Sequence, residues 1–233
     1  MMLQLESLQV GYAAKSLLHN ANATAGEGSF VGVLGINGIG KSTLLKTIAG
    51  LLNAKSGKVL FADKDIQQTS IAEKSALVSV AGTERPEILY MTVREFVALG
   101  KMRFTNSFNV LSQAHLAHVE HIMQELHLAH LASKYISEIS DGEKQKAVIA
   151  RAVAQDTPLM ILDEPTAFLD FRNKRIVFEY LALLAKSKRK IILASSHDLD
   201  LSFQYCTHWW VIDEERNFTA CDNVQQAQSI LCF

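Results

Sequence analysis

Proline is scarce in this chain: Pro86, Pro158 and Pro165 are the only three among 233 residues, and no Pro-rich or other low-complexity segment interrupts it. Cysteine is as rare. Cys206, Cys221 and Cys232 are an odd number without metal spacing, which excludes a disulfide framework and reads as reduced, incidental thiols. An excess of one charge is missing too, since 23 Lys and Arg stand against 24 Asp and Glu. Nucleic acid held through net charge is therefore excluded as a partner. Crossing a bilayer takes about 20 apolar residues, and the best candidate, RIVFEYLALLAK, is interrupted by Glu179. If the protein serves a membrane, it does so through a partner. The opening MMLQLESLQVGY has neither the basic start nor the apolar stretch of a leader peptide, and its alternation suggests an edge strand.

The length suits one full core with a smaller attached subdomain. Strand-like runs alternate with helical ones, the pattern of an α/β protein. Residues 3–10 and 59–62 read as strands near the start. FVGVL (30–34), LMIL (159–162) and IILA (191–194) are short continuous apolar runs, as parallel strands covered on both faces require. Residues 84–139 read as mostly helical, with Leu116, Val119, Met123 and Leu126 at helix spacing.

GINGIGKST, residues 35–43, fits the pattern G-x-x-x-x-G-K-[ST] between the strand FVGVL and a helix starting near Lys41. Gly35, Gly38 and Gly40 let the backbone N–H groups of the loop, Asn37 included, wrap phosphates, and the helix turns its positive end toward them. Lys41 would reach the β and γ phosphates of ATP, Ser42 would ligate Mg2+, and Thr43 follows in the same cradle. The plain alternative is a Gly-rich turn before an amphipathic helix. LMILDEP, 159–165, puts Asp163 and Glu164 at a strand end, where α/β sheets bind ligands. Asp163 is placed to hold Mg2+, and Glu164 to polarise the attacking water as general base. Alone, these letters would read as an acidic turn; with the glycine loop upstream they do not.

ISDGEKQKAVIARA, 139–152, contains the S-x-x-E capping box of an amphipathic helix in Ser140 and Glu143. It also resembles the signature of the ATP-binding cassette (ABC) transporter ATP-binding subunits, LSGGQ, with Ser140 and Gly142 retained and Ile139, Asp141 and Glu143 substituted. The resemblance covers nearly the whole chain. It implies a P-loop NTPase core with a parallel sheet, an N-terminal antiparallel β subdomain and an inserted helical subdomain. The core would comprise 1–83 and 140–233 and the insertion 84–139. It implies that the Ser140 loop meets nucleotide held by a second copy of the chain, so that catalysis needs a dimer. Tyr12 matches the aromatic residue that stacks on adenine, although a strand-end tyrosine fits the pattern equally well. Asp170, in TAFLD, resembles the loop that crosses the dimer interface, and His197 the histidine that orders the attacking water.

TVREFVALGKMRFT, 92–105, resembles the TVRELVALGRxPYT segment of importers for iron chelates, haem and cobalamin, with Lys101 and Arg103 departing from the pattern. What the resemblance then implies is an ATPase on the cytoplasmic face of the inner membrane, attached to transmembrane permease subunits and, through them, to a substrate-binding protein. A regulatory cassette without turnover and an exporter subunit are the alternatives. One family landmark is missing: no glutamine occurs in residues 70–91, and counting back from Thr92 puts Thr83 where the Mg2+-sensing glutamine belongs. Thr83, or Glu84 through water, is expected to sense the metal less directly. His115, His118, His121, His127 and His130 supply at most a partial ligand set, and a solvated helix face is expected there.

Overall fold

A computed structural model describes residues 1–12, 15–83, 88–105 and 110–231; Glu84 and Cys232 lie outside them. The chain opens with β1 (Met2–Tyr12), β2 (Lys15–Gly26), β3 (Phe30–Leu34), α1 (Lys41–Ile48), β4 (Ser56–Phe61), β5 (Lys64–Asp65), α2 (Ile71–Leu77) and β6 (Val78–Ala81). Two helices with short 3-10 turns around them follow, α3 (Val93–Ala98) and α4 (Gln113–Glu125). The chain then returns through α5 (Asp141–Ala154), β7 (Leu159–Leu162), α6 (Phe171–Lys188), β8 (Ile191–Ser195), α7 (Leu199–Tyr205), β9 (His208–Ile212), β10 (Phe218–Cys221) and α8 (Val224–Ile230).

Two sheets result. β9, β3, β8, β7 and β6 lie side by side in parallel, and β10 adds antiparallel to β9. β2, β1, β4 and β5 form an antiparallel sheet in that order. β1 is thus an inner strand, paired with β2 on one side and β4 on the other, not the edge strand its alternation suggested. Alternation reports that one face is buried; it says nothing of how many neighbours a strand has.

The parallel strands separate two cores. Phe30 and Leu34 of β3 point into the core shared with α3 to α6, whereas Val31 and Val33 face α1 and the antiparallel sheet. Alternate residues of an apolar run feed opposite faces. On α1, Leu44, Leu45 and Ile48 are buried, each worth about 1.5–3 kcal/mol in apolar transfer and together anchoring the helix that carries Lys41. On α4 the buried residues are Val119, Ile122 and Met123, with Leu126 just beyond; Leu116 is exposed, because α4 has only begun to meet its neighbours there. The two ends of this helical stretch are stapled by a bridge between Thr92 and Tyr135 and by Ile136 N donating to Met91 O at 2.9 Å. That staple delivers the chain to Ser140, whose side chain and that of Glu143 close the capping box of α5.

Candidate active site

The carboxyl ends of β3, β7 and β8 meet at one edge of the parallel sheet, and the chemistry collects there. The loop after β3 takes φ of 149° at Gly35, 75° at Gly38 and 128° at Gly40, values that side chains rarely tolerate. A Cβ on Gly35 would come within 2.6 Å of Ile212 O, so only glycine lets the loop turn this tightly. Gly40 begins α1 and no side chain caps that helix, which leaves its first N–H groups to whatever anion the loop encloses. Asn37 and Ser42 are exposed on the same rim, while Thr43 is buried on the inner side of α1.

Lys41 is only 5% exposed, and its ammonium donates to Gly35 O at 2.8 Å and Ile36 O at 3.1 Å. Burial pushes its pKa below the usual lysine value, while Glu164 and then Asp163 oppose that shift. A buried cation resting on two loop carbonyls, with carboxylates close by, fits a site that takes phosphate together with a hard divalent cation. Ser42 and Asp163 carry side-chain oxygens of the kind such a cation prefers.

Asp163 leaves β7 with its N–H donating to Ala81 O of β6 at 2.8 Å. Glu164 follows in a left-handed conformation, φ 49°, unusual for a residue with a side chain. Glu164 Oε1 lies 2.7 Å from His197 Nε2; with the carboxylate ionised, the ring nitrogen is the donor. The sequence-predicted acid, base and histidine are therefore brought together with the Lys41 loop. Two residues that the sequence reading missed hold them. Ser195 bonds both acidic residues. Asp198 accepts Thr166 Oγ1 and Lys174 Nζ, each at 2.7 Å, tying the turn after Glu164 to the turn after His197. The only sequence signal for Ser195 is a hydroxyl residue closing an otherwise apolar run.

Ser140, Gly142 and Asp170 gather about the 166–170 turn. A Cβ on Gly142 would stand 3.0 Å from Phe168 O, so α5 starts hard against the 166–170 turn. Asp170 caps α6 by accepting the Asn173 N–H at 2.8 Å, which holds its carboxyl below the usual range, and Lys146 Nζ donates to the same Asn173 at 3.2 Å. Burial would raise the pKa of Glu143, but the hydroxyl and N–H of Ser140 outweigh it and keep the carboxylate charged. Among the described residues, no hydrogen bond or ion pair joins Ser140, Gly142 or Asp170 to Lys41, Asp163, Glu164 or His197.

Tyr12 ends β1 with half its surface exposed, on the hairpin whose Leu17 lies against Gly40. Thr83 sits in a bend after β6, half-buried; beside it, a cavity of about 190 Å³ runs from Gly82 to Asp163 past Lys46 and Arg151. The histidines of α4 are not simply a solvated face. His115 lies tilted against the Phe104 ring, centroids 5.0 Å apart, and His118 is half-buried, its pKa lowered by burial and then by Lys101, because the 99–104 turn folds onto the helix. Among the described residues, no group of three His, Cys, Asp or Glu side chains forms a metal cage.

A glycine cradle opening on an uncapped helix, with a lysine beneath it and a carboxylate–histidine pair across the sheet edge, defines a P-loop nucleoside-triphosphate-binding protein. The family model for the ABC transporter domain matches residues 18–167, and the chain belongs to that family. It is 34% identical over 216 residues to the cobalamin import ATP-binding protein BtuD of Halobacterium salinarum, covering 93% of this chain and 54% of that one. The chain thus spans about half the length of that relative. The achromobactin transport ATP-binding protein CbrD of Dickeya dadantii is 32% identical, covering 91% of this chain and 78% of its own. A solved cassette described as dimeric, in a post-hydrolysis state with ADP and phosphate, shares the fold at a TM-score of 0.78 and 22% identity, covering 90% of this chain and 93% of its own.

Proposed function

We propose that the chain is the ATP-hydrolysing motor subunit of a membrane ABC transporter, an importer of iron chelates, haem or cobalamin. The observation that carries the reading is the Glu164–His197 contact of 2.7 Å beside a phosphate cradle. His197 occupies one oxygen of Glu164 and leaves the other to take the proton of an attacking water. The oxygen of that water bonds the γ phosphorus as the bond to the bridging oxygen breaks. Lys41 exchanges its loop carbonyls for phosphate oxygens, and Tyr12 stacks on the adenine. Mg2+, held by Ser42 and Asp163, would draw charge from the phosphates.

Ser140, Gly142 and Asp170, which make no hydrogen bond or ion pair with the Lys41 group among the described residues, serve the nucleotide of a second copy, and two chains close on two ATP. The dimeric state of the solved cassette supports this, and the cobalamin import of one relative supports an importer. No helix of the described residues is long and apolar enough to cross a membrane, in keeping with a peripheral subunit on the cytoplasmic face of transmembrane permeases. A substrate-binding protein acts only through those permeases. Residues 84–139 move as one helical unit against 1–83 and 140–233 when the dimer closes. Purified protein should release phosphate from MgATP and do so faster with its permease; no release in either state would overturn the reading.

Thr83 offers the nucleotide one short hydroxyl where the family places a glutamine, so the hinge, rather than the binding site, bears the consequence. Thr83→Ala should cut permease-stimulated turnover about fivefold, the low end of a coupling between sites, and leave ATP affinity unchanged. Stimulation equal to the parent's would make the position a plain linker.

A further inference from the structure

β7 and β8 run parallel with Leu162 opposite Ala194, so the next pair along, just past the end of β7, is Asp163 and Ser195. Ser195 is fully buried. Its hydroxyl donates to Asp163 Oδ1 at 2.7 Å and accepts the Glu164 N–H at 2.8 Å. One hydroxyl thereby grips two successive residues, a side chain and a backbone, in opposite hydrogen-bonding senses.

Each grip has a chemical consequence. Among the described residues, no other side chain bonds the Asp163 carboxylate, so Ser195 alone decides that Oδ1 is taken and Oδ2 is open. Without that bond the carboxylate turns freely about its last torsion, and neither oxygen is reserved for a cation. Glu164 holds a left-handed backbone, φ 49°, and its N–H points away from any strand partner. The Ser195 oxygen satisfies that N–H and keeps the turn from which Glu164 reaches His197.

We infer that Ser195 is a positioning residue for hydrolysis: it orients Asp163 toward the divalent cation and fixes the backbone turn that aims Glu164. The inference rests on the roles proposed above for Asp163 and Glu164. It differs from a general effect of losing a buried hydroxyl, for which the same sheet supplies a control. Ser79 of β6 is equally buried and accepts Thr157 Oγ1 at 2.9 Å, but bonds neither acidic residue.

The experiment compares Ser195→Ala, Ser195→Thr, Ser79→Ala and Asp163→Asn with the parent. For each, the affinity for a fluorescent ATP analogue is titrated against Mg2+, and kcat, KM and Tm are measured. In Ser195→Ala, the Mg2+ concentration giving half of the affinity gain should rise about tenfold, the worth of one hydrogen bond to a charged group. Affinity in EDTA should hold, kcat should fall more than KM rises, and Ser195→Thr should restore most of both. Ser79→Ala should change Tm alone. Ser195→Cys, close in volume but a weak donor, carries the test if the alanine variant fails to fold. A parental Mg2+ curve and kcat in Ser195→Ala, or a fall in Tm with nothing else, would overturn the inference provided Asp163→Asn shifts the curve. If Asp163→Asn leaves the curve in place, the role of Asp163 itself is wrong, and the inference goes with it.

Discussion

Glu164→Gln should bind MgATP as the parent does, hydrolyse it about 10²–10⁴ times more slowly, and accumulate as a dimer. Glutamine keeps a carbonyl oxygen for the Nε2–H of His197, now 2.7 Å from Oε1, but it cannot take a proton from water. The substitution removes the base and leaves the cradle and the left-handed turn with a residue of the same shape. Phosphate release, together with light scattering on a size-exclusion column in MgATP, reads both halves of the expectation. A second effect has a definite sign. Glu164 is the first of the two carboxylates that hold up the pKa of Lys41 against burial. Neutralising it lowers that pKa further, so the alkaline limit of nucleotide binding should move to lower pH in the variant. Hydrolysis at the parental rate would show that another group is the base.

The parts of the site that were legible in the sequence are those whose chemistry is local. Gly35, Gly38, Gly40 and Lys41 lie within one turn of chain, and no other common arrangement asks for glycines and a lysine at that spacing. Asp163 and Glu164 end a strand that its own letters reveal. Ser195 and Asp198 were not legible, because what they do depends on the register between β7 and β8 and on a turn packed across from α6. A serine gives no sign in sequence of which carboxylate it will meet.

The fold shows the same division. Continuous apolar runs announced β3, β7 and β8, since burial on both faces leaves little choice of residue. β2 went unread: its buried positions Leu18, Ala21, Ala23 and Ala25 are mostly alanines between Asn and Thr, a weak alternation. β9 and β10 were missed as well: Trp209 and Trp210 of β9 are almost fully buried, but β10 beside it is half-buried at three of its four positions and carries no apolar run. Residues 84–139 read as mostly helical, yet α3 passes into a 3-10 stretch, 99–104, with Gly100 pressed against Arg151 O of α5. There tertiary packing overrode helix propensity.

Lys41→Met should weaken nucleotide binding about a hundredfold, the loss of roughly 2.7 kcal/mol, while leaving the nucleotide-free fold about as stable as before. The ammonium is buried, and burial opposes its charge. Its two bonds to Gly35 O and Ile36 O offset that cost, at about 1.5–3 kcal/mol for each charge-assisted bond. Desolvating an ammonium costs several kcal/mol as well, so the sum is close to zero, and methionine keeps the volume without either term. Tm of the free protein should therefore stay within about 4 °C of the parent, the shift that 1 kcal/mol produces in a chain of this size. With nucleotide the two proteins separate. ATP at about 100 times the parental Kd stabilises the parent by about 2.7 kcal/mol, whereas a hundredfold loss of affinity reduces this to about 0.4 kcal/mol. Thermal shift with and without MgATP measures both quantities on one sample. A variant that loses many degrees without nucleotide would show Lys41 to be a strut of the loop; one that keeps the ATP-induced shift would show that the phosphates are held by the backbone cradle alone.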